Sequence, residues 1–208
     1  MGLYSRYILP HVLDCACGLP AVERERARLV PQARGRVLEI GIGTGRNLPH
    51  YNPANVDTIV GLDPAAEMHP RARRRLSETR LSVSLMAVSA EQIPAEDDHF
   101  DTVLVTYSLC SIPDPSLALR EMRRVLKPDG ALLFCEHGRS PEPKVARWQQ
   151  RLTPAWRHIA GGCHLDRNVP ELLTDAGFSI DTLDSGYIQG PKPLTWHFRG
   201  LASKHPAK

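Results

Sequence analysis

No stretch of this sequence approaches the roughly 18 to 20 consecutive apolar residues of a bilayer-spanning helix, so no integral membrane segment is expected. The opening, MGLYSRYILPHVLDCACGLP, lacks a basic segment followed by a long apolar one, which argues against a secretory signal. CxxC pairs are missing. The five cysteines (Cys15, Cys17, Cys110, Cys135 and Cys163) are an odd number, and CAC alone is a poor zinc pattern, so no metal is expected. Free, mostly buried thiols in a reducing cytoplasm follow most simply. A strong charge of one sign is missing too, since the net charge of +3 is spread along the 208 residues. The densest basic run, Arg71, Arg73, Arg74 and Arg75, reads as the solvated face of a helix, so no nucleic-acid partner is expected. Repeats, low-complexity tracts and long linkers are also wanting. One domain over residues 1–208 is expected, with 1–25 as an amino-terminal helical lid.

What is present is an alternation of apolar runs and helical stretches. Strands are predicted over 36–41, 58–63, 82–88, 101–107 and 131–137. Several are apolar at nearly every position, which suits burial on both faces of a parallel sheet. Helices are predicted over 46–51, 65–80, 115–126 and 168–176, with KPDG at 127–130 as a stop and turn. FSIDTLDSG and TWHFRGLAS read as an antiparallel pair on the sheet's edge. The expected fold is α/β and doubly wound, with a mostly parallel sheet of seven strands. Its ligand belongs beyond the carboxyl ends of the strands.

The segment EIGIGTGRNLPHY carries the strongest chemical signal. Glycine lets a turn adopt positive φ and lets a ligand approach the backbone closely. The dinucleotide fingerprint needs a glycine three residues after its second, and that place is Arg46. Instead a carboxylate, Glu39, precedes Gly41, Gly43 and Gly45. A carboxylate there repels a pyrophosphate and suits a cationic amine. Asp63 ends the next strand, 22 residues after Gly41, where an acidic residue accepts ribose hydroxyls. A ribose, an ammonium group and no phosphate together describe S-adenosylmethionine.

On these residues the chain resembles the class I S-adenosylmethionine-dependent methyltransferases over about residues 30–203. The resemblance implies a site residue by residue. EIGIGTG resembles the first motif. Glu39 would face the amino group, Gly41 and Gly43 would line the methionine moiety, and amides from Thr44 through Gly45 to Asn47 would open toward its carboxylate. GLDPAAEM resembles the second motif, with Asp63 on the ribose and Pro64 and Met68 near the adenine. VSAEQIP resembles the adenine turn, placing Ser89, Ala90 and Glu91 there, with Ser89 where the family usually has Asp. In FDTVLVTYSLCSIPD, Thr106 and Tyr107 would lie beside the methionine chain.

The acceptor must lie near the ends of the fourth and fifth strands. CEHGRSP places Glu136 and His137 there, and GGCHLDRN places His164 after a glycine pair. Either histidine is a candidate base. LCSIPD, EH, WQQRLTPAWRHIAGGCHL and PLTWHFRGLASK resemble the second half of the animal alkyl thiol methyltransferases, the methyltransferase-like seven group. That resemblance implies a small, fairly apolar thiol acceptor. Methylation of a lipid amine or a quinone carbon is the enzymatic alternative, and a cofactor-binding module without catalysis is the other. The first 20 residues are expected to form a helix. Either it closes the cofactor mouth with Tyr4 and Tyr7 and lines an acceptor pocket with Leu9, Val12, Leu13 and Leu19, or it packs on the sheet. Peripheral contact with a membrane surface is compatible with it, and the oligomeric state stays open. Trp148, Trp156 and Trp196 read as core, and Cys110, Cys135 and Cys163 as packing.

Overall fold

In a computed structural model, which describes residues 7–204, every predicted strand forms. The strands are β1 (Gly35–Ile40), β2 (Val56–Leu62), β3 (Val83–Met86), β4 (Phe100–Thr106), β5 (Leu126–His137), β6 (Ser179–Tyr187) and β7 (Trp196–Ser203). They make one seven-stranded sheet in the order β3-β2-β1-β4-β5-β7-β6. Pairing is parallel from β3 to β5, and β7 runs antiparallel to both β5 and β6. The order reverses between β1 and β4, so their carboxyl ends open a crevice.

Successive strand residues enter opposite cores. Leu38, Ile40, Val103, Val105, Leu132 and Phe134 pack on one face. Leu119 and Met122 of α4 (Pro115–Val125) and Leu173 of α6 (Val169–Asp175) cover them. Val37, Ile59, Leu104, Leu133 and Cys135 pack on the other, under Leu29 and Val30. Burial on both faces explains the near-continuous apolar runs.

The helices depart from expectation in several places. Residues 46–51 form only a 3₁₀ turn, Leu48–His50. Pro49 lies inside it, and Asn52 precedes Pro53, a position biased away from helix. The predicted helix 65–80 divides into a 3₁₀ turn, Ala66–Met68, and α3 (His69–Leu76), because Pro70 is accommodated only in a first turn. The KPDG turn lies within β5: the helix stops at Val125, and the strand starts at Leu126 with an irregularity in its pairing to β4.

The amino terminus forms α1 (Leu9–Cys17) and α2 (Pro20–Leu29), broken by Gly18 and re-started by Pro20. Tyr4 lies outside the described residues. The 17-residue α5 (Pro143–Ile159) was not predicted: Pro143 suits its first turn, but Pro154 argues locally against its interior. Its inward face is Val145, Ala146, Gln149 and Thr153. Trp148 faces solvent at 56% exposure, which corrects its reading as core, while Trp196 packs against the main core. Among the described residues, no helix is long and apolar enough to cross a membrane.

Gln149 ties this half together. Its side chain accepts from the Ser140 amide at 2.9 Å and donates to Gly138 O at 2.8 Å and Pro193 O at 3.1 Å. Replacing it with Leu strands buried backbone groups, so Gln149→Leu is expected to destabilise the fold by at least about 2 kcal/mol. Urea unfolding reads this; a loss below about 0.5 kcal/mol, the range of a neutral surface change, contradicts it.

Candidate active site

The chain leaves β1 through a turn in which Gly41, Gly43 and Gly45 have φ of 66°, 52° and 79°. Those angles disfavour side chains at all three, and room is lacking at two of them: an added Cβ would lie 2.0 Å from Ser108 Oγ at Gly41 and 2.9 Å from Leu48 Cδ1 at Gly45. Asp63 fixes the turn from the end of β2. Its Oδ2 accepts from the Gly43 amide at 2.9 Å and its Oδ1 from the Ala65 amide at 2.8 Å. Burial pushes its pKa up, against those two amides.

Glu39 sits behind the turn at 1% exposure. Oε1 accepts from Asn47 Nδ2 at 3.0 Å and Oε2 from the Tyr51 hydroxyl at 2.7 Å. Burial pushes its pKa up to about 7, opposed by these donors. Glu39 therefore anchors the loop after the turn, and each oxygen keeps a second lone pair. Asn47 and Thr106 are joined by Arg26 of α2, whose Nη1 donates to Asn47 Oδ1 at 2.6 Å and Thr106 Oγ1 at 2.7 Å. Its guanidinium lies 4.9 Å from the Tyr107 ring centroid. Arg26 was missed. It hides in a charged run, VERERARL, and the available signal was its place on the buried stripe of Val22 and Leu29.

Tyr107 has φ of 53°, a conformation costing about 1–3 kcal/mol outside glycine and concentrated at functional sites. It redirects the chain after β4. Met68 is buried near the second motif and Pro64 is exposed. In the adenine turn, Ser89 Oγ donates to Glu91 Oε2 at 2.9 Å, and Glu91 Oε1 accepts from the Asp114 amide at 2.7 Å; Ala90 is buried. A carboxylate thus stands two residues after the expected Asp. A cavity of about 360 Å³ lies under residues 93–100, lined by Leu62, Met86 and Phe100, and touches none of the predicted site residues.

Asp14 holds α1 against the turn. It accepts from Thr44 Oγ1 at 2.5 Å, Arg46 Nε at 2.9 Å and Arg75 Nη1 at 3.0 Å. Arg75 also donates to Thr44 O at 2.6 Å. Val12 and Leu19 are exposed, while Leu9 and Leu13 approach the turn at Gly161.

At the far end of the crevice, Glu136 is fully buried and accepts from the amides of Ser108 at 2.7 Å and Leu109 at 3.1 Å. Burial pushes its pKa up to about 7. The half-buried His137 places Nε2 3.2 Å from Cys163 Sγ, which also accepts from Trp156 Nε1 at 3.3 Å. A hydrogen bond from Cys110, then those from His137 and Trp156, pull the Cys163 pKa down despite burial. Burial resists charge on His137, yet the Cys163 sulfur raises its pKa on balance. His164 is elsewhere: its amide donates to Cys110 O at 2.8 Å, and its ring lies 3.9 Å from Asp166. Burial, then Arg167 and Arg157, lower its pKa. His137 and His164 are thus not brought together, whereas Cys110, His137 and Cys163 are.

Residues 38–134 match the family described as a methyltransferase domain. The chain is 34% identical over 177 residues to thiol S-methyltransferase TMT1B of Rattus norvegicus, spanning 81% of this chain and 70% of that protein. It is 34% identical over 159 residues to the phosphatidylethanolamine N-methyltransferase of Cereibacter sphaeroides, 76% of each. Its fold is similar to a solved S-adenosylmethionine-dependent methyltransferase from Methanosarcina mazei, with TM-score 0.67, 23% identity and coverage of 85% of this chain and 95% of that one.

Asp14 yields a pH prediction. Although burial works against its charged form, its arginine and threonine partners depress its pKa below the ordinary 3.8. Its stabilisation is therefore fully present above that value and is lost as pH falls toward the lower folded value. Melting temperature should drop more steeply with acidification in the wild type than in Asp14→Asn, with the two converging at the acid end. Parallel profiles contradict this.

Proposed function

Because the chain belongs to the S-adenosylmethionine-dependent methyltransferases, we propose that it moves a methyl group directly onto the sulfur of a small, fairly apolar thiol. One observation carries the choice of acceptor. Three of the stretches that resemble the thiol enzymes, LCS, EH and GC, converge in space, with His137 and Cys163 in hydrogen-bond contact. Relatives named as thiol S-methyltransferases, from rat and human, are 34% identical to this chain.

The cofactor fits the residues present. At Gly43 an added Cβ would meet only Asp63 Oδ2 at 3.7 Å and Gly41 O at 3.8 Å, ordinary contacts, so the turn is uncrowded beside Asp63. Asp63 would take the ribose hydroxyls. Pro64, Met68, Ser89, Ala90 and Glu91 would surround the adenine. Gly41, Gly43, Gly45, Thr44 and Asn47 would line the methionine moiety with Thr106 and Tyr107. Glu39 would set the charge behind it. Bound there, S-adenosylmethionine supplies an electrophilic methyl on a sulfonium. The protein's work is then alignment, which contributes on the order of 7–11 kcal/mol in well-oriented reactions. A thiol of pKa ~8.5 needs only about 1.5 units, or ~2 kcal/mol, to ionise at neutrality. His137, already paired with a sulfur, is the base this geometry favours, and His164 the second candidate. The helix α1, held by Asp14, acts as the lid.

The exposed Tyr7, Ile8, Val12 and Leu19 along and beyond α1 favour one alternative, a lipid-borne acceptor reached at a membrane surface. The similarity to the phosphatidylethanolamine enzyme points the same way. Strong flotation with anionic vesicles, coupled to transfer to a lipid amine, would favour it.

Kinetics with a panel of thiols, sulfide included, tests the leading reading. Asp63→Ala should weaken cofactor binding at least tenfold, as loss of charged hydrogen bonds worth ~1.5–3 kcal/mol requires. His137→Gln should lower kcat with thiols by about tenfold or more, at the low end for acid–base groups because a thiol is easily ionised. No S-methylated product from any thiol, with brisk transfer to another class, defeats the proposal.

A further inference from the structure

Cys110, His137 and Cys163 each present one ligand atom, and these atoms lie within 4.8 Å of one another. They come from the loop after β4, the carboxyl end of β5 and the loop after α5. We propose that the trio binds a divalent metal of the zinc class through two thiolates and one imidazole, leaving a fourth position for the acceptor's sulfur. This rests on the thiol reading of the site.

Donor chemistry selects the ion. Two thiolates and an imidazole suit borderline-soft zinc and exclude magnesium or calcium, which require oxygen. The spacing suits it too. Zn–S of about 2.3 Å and Zn–N of about 2.0 Å in a tetrahedron separate ligand atoms by roughly 3.5–3.8 Å. His137 Nε2 and Cys163 Sγ, at 3.2 Å, need to part by only a few tenths of an ångström.

The ligands are also pre-positioned by their neighbours. The His164 amide donates to Cys110 O at 2.8 Å, tying the two cysteine loops together. Arg167 donates to Leu109 O beside Cys110. Glu136, next to His137, binds the amides of Ser108 and Leu109. Trp156 donates to Cys163 Sγ at 3.3 Å, the kind of outer-shell contact that orients a metal thiolate. Three protein ligands with an open position is the arrangement of reactive zinc rather than structural zinc.

Charge makes the arrangement productive. Two thiolates neutralise the dication, so a metal here would not repel the neighbouring sulfonium. With zinc bound, His137 is a ligand and no longer a free base, and the metal takes over the task of acidifying the thiol: when a thiol enters the fourth position its proton leaves to solvent, and the assembly becomes an anion. The bound sulfur's lone pair then forms the new C–S bond, and the pair of the broken sulfonium C–S bond stays with the departing sulfur. No electrons are gained or lost overall. The neutral thioether product is a weak ligand and dissociates.

The test begins with reduced protein prepared without metal-affinity tags. About one zinc per chain is expected by atomic emission. Cys163→Ser and His137→Gln should each lower zinc affinity by at least tenfold, with Cys110→Ser as a third variant, whereas Cys15→Ser, on the exposed side of α1, should not. Cofactor binding by calorimetry checks that the variants are folded. Cobalt in place of zinc should give thiolate charge-transfer absorption that shifts when a small alkanethiol is added. Thiol methylation should fall on chelation and return with zinc.

Zinc held equally by wild type and variants, or no cobalt band in the reduced protein, overturns the site. A Cys110–Cys163 disulfide that persists under reductant does so too. Undiminished thiol methylation after complete metal removal overturns the metal's role while leaving S-methylation standing. A cobalt band indifferent to every thiol, with methyl transfer to another acceptor, overturns the thiol reading itself.

Discussion

The buried carboxylate of Glu39 is the constraint on which the glycine turn depends. A charge at 1% exposure is costly unless its hydrogen bonds are met. Asn47 and Tyr51 meet them, and in doing so they hold the chain after the glycine turn in one path. Arg26 extends the same network across α2 to Thr106, so the first and fourth strands end in a shared polar cluster. Asp63 repeats the device from the second strand, binding the turn's own amide. The turn is therefore set by side chains from four elements, not by its glycines alone.

The two ends of the crevice differ in chemistry. The β1–β2 end has carboxylates, amides and an arginine, a setting for a charged nucleoside. The β4–β5 end has sulfur and imidazole above a buried Glu136. Both are reached through the strained residue Tyr107, whose positive φ turns the chain from one toward the other. With cofactor and acceptor bound as proposed, both would lie along the carboxyl ends of the strands, which suits in-line displacement without any covalent group on the protein. The loop contacts from His164 and Arg167 close the β4–β5 end from a separate part of the chain.

Most of the sheet was legible because its strands are apolar at consecutive positions and end in chemically marked turns. The position of Asp63 at the end of β2 was legible for the same reason, since a Pro follows it. What local pattern hid was set by tertiary structure. The helix α5 carries Pro154 and a polar inward Gln149, so its burial depends on partners at Gly138, Ser140 and Pro193 that no local window contains. Arg26 reads as one charge among many until its stripe is traced. Cys110, His137 and Cys163 stand 27 and 26 residues apart, the first interval set by α4 and β5 and the second by α5, so no cysteine motif exposes them. The 46–51 helix failed on Pro49, a local signal that was present and outweighed.

Offering the enzyme isotopically methyl-labelled cofactor with an equimolar mixture of an alkanethiol, a phosphatidylethanolamine dispersion and a reduced quinone puts the central claim to its most direct test. Mass spectrometry then locates the label. Label predominantly on sulfur is the predicted result. Label on nitrogen or carbon, with the thiol left unmodified, would contradict it.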